Sequence, residues 1–150
     1  MTASPPITTL PSTPLITAEQ FGRMPGDGTV SELVGGRVVR MPSPFPFHGS
    51  VCLEVALALN EFIRPYGLGR VFINDSGIVT ERDPDTVRGA DVSFFTKARL
   101  PEGALPRERY LDTAPELVVE VRSPSDRWQK ILQKVSEYLS AGVSVVVVLD

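Results

Sequence analysis

The sequence predicts an α/β domain with a mixed central sheet flanked by helices, and three observations carry that prediction. The run Pro115-Glu-Leu-Val-Val-Glu-Val-Arg-Ser-Pro-Ser125 is short and apolar, an amphipathic pattern follows it, and residues 143–149 form a second valine-rich run. Strand, helix and strand at this spacing have the length of a right-handed βαβ crossover. Between residues 48 and 64, Val51, Val55, Leu59 and Phe62 recur at helical spacing, with Leu53, Ala56, Leu57 and Ile63 widening the stripe, as suits a helix laid on a sheet. Residues 69–73, 77–80 and 90–95 read as further strands, rich in β-branched and aromatic side chains.

Taken in order, residues 1–15 are rich in Ser, Thr and Pro and read as a loose tail, with one domain over 16–150. Thr17 caps a short helix that Pro25-Gly26 stops. The pair Gly35-Gly36 sits between β-like runs and predicts a hairpin, and Pro42, Pro44 and Pro46 delay the next helix to about Phe47. Asp75-Ser76-Gly77 reads as a turn between two short strands, and residues 81–89 as a loop. Ser125 is the expected cap of a helix from Asp126 to about Leu139, which Ala141-Gly142 closes. The chain ends on an apolar strand that would want a neighbour, so it reads as shortened after Asp150.

Composition narrows the function classes. Hydrophobic content of 42% and charged content of 22% fit a folded soluble protein. No apolar run is long enough for a bilayer, so no membrane partner is expected. Lone Cys52 excludes an intrachain disulfide and, with no secretory leader, fits a cytoplasmic compartment. It reads as a packed small side chain rather than a nucleophile. A net charge of -3 argues against bulk attraction to nucleic acid, and the basic residues of the C-terminal half are interspersed with acids.

The chemistry concentrates in a few acids. In the run around Glu120, alternation places Leu117, Val119 and Val121 on one face and Glu116, Val118, Glu120 and Arg122 on the other. A carboxylate in such a strand needs a partner if it is buried and ionised. Asp91, on a separate strand, would repel Glu120 unless the two share a divalent cation or a proton. Oxygen ligands favour Mg²⁺ or Mn²⁺, and such an ion suits phosphodiester hydrolysis. Glu32 joins the set, and two cations compete to complete it. Arg122 shares the strand face of Glu120, whereas Lys134 lies on the following helix in line with Lys130 and Tyr138.

The blocks Glu32-Leu-Val-Gly-Gly-Arg-Val-Val-Arg-Met-Pro-Ser-Pro44, His48, Ala90-Asp91-Val, Leu117-Val-Val-Glu-Val-Arg-Ser-Pro-Ser125 and Lys134-Val-Ser-Glu-Tyr138-Leu-Ser-Ala-Gly142-Val resemble, in this order, a widespread bacterial family of small endonuclease-like proteins in the PD-(D/E)XK superfamily. The resemblance implies a restriction-endonuclease-like core, Mg²⁺-dependent cutting of DNA and a dimer. It implies that Asp91 and Glu120 bind metal, that Glu32 approaches the site, and that Lys134 replaces the signature lysine from the helix. His48 matches a recurring histidine. Two departures stand out: Ala90 occupies the usual proline position, and Arg122 that of the signature lysine. Two other readings follow from the same residues: a nuclease-shaped binding or assembly module without catalysis, and a metal-dependent hydrolase of a small phosphate ester.

Overall fold

The computed structural model describes residues 14–103, 105–111 and 113–150, so most of the predicted tail lies outside the described residues. The elements run α1 (Ala18–Gly22), β1 (Ser31–Val34), β2 (Arg37–Arg40), α2 (Pro46–Ile63), β3 (Gly69–Glu81), β4 (Thr86–Thr96), β5 (Leu117–Val121), α3 (Trp128–Ser140) and β6 (Val145–Leu149). The strands form one mixed sheet in the order β2-β1-β4-β5-β6, with β3 also paired to β4. All pairings are antiparallel except β5 with β6, which α3 joins as the predicted crossover.

Strand β4 organises the sheet. β3 pairs with it from end to end. On its other edge it meets β1 only at Leu33↔Val87, and β5 only from Val92↔Val119 to Phe94↔Leu117. Between these contacts, at residues 88–91, β1 and β5 diverge and leave a fork in the sheet. Backbone groups freed at a fork need partners, because burying them unpaired is costly.

Adjacent residues of β5 sort the core onto two faces, as strand alternation requires. Val118 packs with Ile78, Ala90, Val143 and Tyr138 of α3, whereas Val119 packs with Val92 and Ala56 of α2. A third cluster, Ala18, Leu33 and Val87, seats α1 at the far end. Thr17 caps α1 through a capping box with Gln20, and Asp85 Oδ2 accepts the Ala18 amide at 2.7 Å. One guanidinium ties down the crossover: Arg99 Nη1 donates to the carbonyls of Ala114, Pro115 and Gly142, and Nη2 donates to Ser144 Oγ.

Five expectations need correction. The strands read at 69–73 and 77–80 are one strand, because Asn74 and Asp75 take left-handed φ values of 66° and 52° and form a bulge rather than a reversal. The predicted loop 81–89 shrinks, since β4 already begins at Thr86. Pro46 does not delay α2 but opens it, where a missing amide hydrogen costs nothing. Ser125 does not cap α3, which starts at Trp128 without a side-chain cap, while Asp126 Oδ2 accepts the Ser123 amide at 2.8 Å. The apolar stripe of α2 is also narrower than the sequence suggests: Leu53, Leu57 and Phe62 face solvent, and burial rests on Ala56 and Ile63.

Candidate active site

The fork brings acids to its freed amides. Glu32 of β1 accepts the Gly89 amide on Oε1 at 3.1 Å, and Asp91 of β4 accepts the Val121 amide on Oδ2 at 2.6 Å. Glu120 precedes Val121, so the Asp91 carboxylate is anchored one residue from the strand acid. Into this fork α3 sends Lys134, whose Nζ lies 3.0 Å from Glu32 Oε1 and 3.0 Å from Glu120 Oε2. It also approaches the Gly89 carbonyl at 3.4 Å. One turn further along the helix, the Tyr138 hydroxyl donates to Glu120 Oε1 at 2.8 Å. Helical spacing of four explains why both reach the same carboxylate. From the α2 face, His48 Nε2 lies 3.2 Å from Asp91 Oδ2.

Burial sets the electrostatics. Glu120 is 4% exposed, and desolvation pushes its carboxyl up to about 7, opposed by Lys134 and reinforced by Asp91. Burial works against the Lys134 ammonium, but the Glu120 and Glu32 carboxylates outweigh it and raise its pKa. Lys134 is therefore a cation at neutral pH. The Tyr138 hydroxyl is raised by burial and then by Glu120, so it remains a hydrogen-bond donor. The Cys52 thiol, 3.5 Å from His48 Nδ1, is pushed up to about 11 by burial and then by Asp91, so without a bound cation it stays a neutral thiol at neutral pH.

The structure thus gathers Glu32, Glu120, Lys134 and Tyr138 directly, with Asp91 and His48 adjoining. It does not bring Arg122 to them. That guanidinium pairs with Asp150 at 2.6 Å, donates to the Asp126 carbonyl and lies over the Trp128 ring. Lys130, in line with Lys134 on the helix, is exposed.

Three further residues escaped the sequence reading. Arg88 donates to Glu137 through Nε at 2.6 Å and Nη2 at 2.9 Å, and to Glu32 through Nη1 at 2.8 Å. This buried fork-to-fork arrangement locks α3 to β1 and β4. Burial opposes the Arg88 charge, yet its bonds to Glu137 and Glu32 raise its pKa. Asp75 sits on the β3 bulge and lies against Gly89, where an added Cβ would come within 2.9 Å of Asp75 Cβ. Burial raises its carboxyl, and Asp91 raises it further. The bulge made Asp75 unreadable as anything but a turn residue. Arg88 was hidden by its assignment to a loop, although a lone arginine in Thr86-Val-Arg-Gly-Ala90 carries a strand signal.

The Arg88–Glu137 pair makes stability depend on pH in a defined direction. Burial raises the Glu137 carboxyl, but the Arg88 hydrogen bond and charge outweigh it and hold the pKa below the ordinary value near 4.5. A carboxyl lowered on folding stabilises the native state above its unfolded pKa and loses that contribution as pH falls through the native one. Glu137→Gln is expected to lower the urea midpoint at neutral pH, and the gap from wild type should close on acidification below about 4.5. A gap independent of pH would contradict this.

A mixed sheet with a βαβ crossover, acids at a fork and a lysine arriving from the crossover helix define a restriction-endonuclease-like protein. The family model described as Uma2, putative restriction endonuclease, matches residues 18–150, and the chain belongs to that family. The fold is similar to the crystal structure of a putative nuclease of DUF820 from Anabaena variabilis, with a TM-score of 0.75 at 22% identity, covering 89% of this chain and 73% of that one. No curated protein matches the chain. Among the described residues, no helix is long and apolar enough to cross a membrane.

Proposed function

We propose that the chain is a divalent-cation-dependent endonuclease of the cytoplasm that hydrolyses DNA phosphodiester bonds and works as a dimer. The observation that carries this reading is Lys134 reaching from α3 to within 3.0 Å of both Glu120 and Glu32. That geometry supplies from the helix the cation that Arg122, occupied elsewhere, does not. The donor set fits a hard cation: Asp91 and Glu120 offer carboxylate oxygens, and Asp91 lies close enough to raise the Glu120 carboxyl electrostatically. These two residues would hold Mg²⁺, with Mn²⁺ able to substitute. When bound, the cation supplies Lewis-acid activation of water and neutralises charge developing on the phosphate.

The chain's own groups then have distinct duties. Tyr138 and the Val121 amide orient Glu120 and Asp91, so neither carboxylate needs to reorganise. Lys134, held protonated by its two acids, donates to a phosphate oxygen as negative charge builds up rather than accepting a proton. The cavities beside residues 79–82 and beside residues 76–78 are lined by neither Glu120 nor Lys134, so neither encloses these residues as a pocket for a small phosphate ester would.

A second reading, a nuclease-shaped binding module, is favoured by one feature: Glu32, Glu120, Lys134 and Tyr138 already satisfy one another. Calorimetry with Mg²⁺ and Mn²⁺ on wild type and Asp91→Ala, with the same samples assayed on plasmid and single-stranded DNA, separates the two. Catalysis predicts cation binding and cutting that are both lost in the variant. Binding without cutting supports the module, and absence of both rejects the catalytic reading.

A further inference from the structure

We propose that His48, Cys52 and Asp91 form a second cation site, selective for a thiophilic divalent ion of the zinc class, whose occupation withdraws Asp91 from the hard-cation site. The withdrawal rests on the nuclease reading above; the binding site itself does not.

His48 and Cys52 are one helical turn apart on α2, and so they present their side chains on one face. That face meets Asp91 on β4. The three side chains offer donor atoms that all lie within 4.8 Å of one another. Zinc bond lengths at tetrahedral angles place sulfur and nitrogen ligands about 3.6 Å apart, and nitrogen and oxygen ligands about 3.4 Å apart. The observed separations are 3.5 Å from Cys52 Sγ to His48 Nδ1 and 3.2 Å from His48 Nε2 to Asp91 Oδ2. These contacts use opposite nitrogens of the imidazole, so one nitrogen would ligate while the third donor closes the remaining gap.

The site is built rather than incidental. His48 and Asp91 side chains are 14% and 11% exposed, and Cys52 packs at the edge of the Ala56–Val92–Val119 cluster. A helix and a strand thereby hold the three ligands near one another. Donor chemistry sets selectivity: thiolate and imidazole favour zinc, whereas Mg²⁺ demands oxygen. Three protein ligands also leave the fourth tetrahedral position open. Asp91 would belong to both sites, so the two ions would compete.

The test uses the metal-free chain titrated with Zn²⁺ by calorimetry and with Co²⁺ by absorption, on wild type, Cys52→Ser and Cys52→Ala. The expected result is one Zn²⁺ per chain and a thiolate-to-cobalt charge-transfer band. Both substitutions should abolish the band and weaken Zn²⁺ by more than the roughly 10- to 100-fold that loss of a supporting partner costs at metal sites. Mg²⁺ binding should persist in both variants, and zinc should no longer displace it. A missing band, or unchanged Zn²⁺ affinity in the variants, overturns the site even if the protein cuts DNA. Zinc binding through Cys52 in a protein that cuts nothing upholds the site and rejects the nuclease reading instead.

Discussion

Arg88→Met should destabilise the fold by about 3–5 kcal/mol, the cost of removing one partner from a buried ion pair. The guanidinium is 8% exposed and serves two acids that are themselves buried, Glu32 at 4% and Glu137 at 8%. Methionine fills much of the volume but leaves both carboxylates without their shared donor. Glu137 would retain Gln133, whose Nε2 donates to it at 2.9 Å, and Glu32 would retain Lys134 and the Gly89 amide. For a domain of this size each kcal/mol moves the melting temperature by about 2–4 °C, so a fall on the order of 10 °C is expected by calorimetric scanning. The double variant Arg88→Met/Glu137→Met should recover part of the loss, because an apolar pair buries no orphaned charge. A single variant as stable as wild type would show that Arg88 does not dock α3.

Lys134→Met should separate chemistry from cation binding. Removing one preorganised donor aimed at developing charge typically costs roughly 100- to 1000-fold in turnover, and cutting of plasmid DNA should fall by that order. Cation affinity should not fall with it. Without its ammonium, Glu120 and Glu32 are left as buried acids in search of positive charge, so Mg²⁺ should bind at least as tightly and should raise the melting temperature more than it does in wild type. Parallel loss of cation binding and cutting would instead make Lys134 an architectural residue. Wild-type cutting by the variant would remove it from the mechanism.

Legibility followed the locality of the signal. The β5–α3–β6 crossover was readable because apolar runs and helical periodicity are local, and the face assignment of Leu117 through Val121 followed from alternation alone. Val118 and Val119 do pack on opposite faces. The β3 bulge was not readable, because Asn74-Asp75-Ser76-Gly77 has the composition of a turn and only pairing with β4 holds it in a strand. Arg122 illustrates a second limit. Alternation put it on the face of Glu120, but the strand ends at Val121, after which Asp150 and Trp128 capture the side chain. Arg88 and Glu137 are 49 positions apart, and no local pattern links them. Asp91 and Glu120 were legible as charges in apolar strands; what held them was not.

The Arg99 clasp has a consequence for how the molecule opens. By binding carbonyls just before β5 and just after α3 and a side chain before β6, it ties the ends of the crossover into one unit. Lys134, Tyr138 and Glu120 ride on that unit, whereas Glu32 and Asp91 belong to β1 and β4. The site lies on the seam between the two. A ligand that grips both sides ties the seam shut and adds its binding free energy to the cost of parting them. Amide hydrogens on either flank then exchange more slowly, and occupancy of the fork is written into the exchange rates of strands that never touch the ligand.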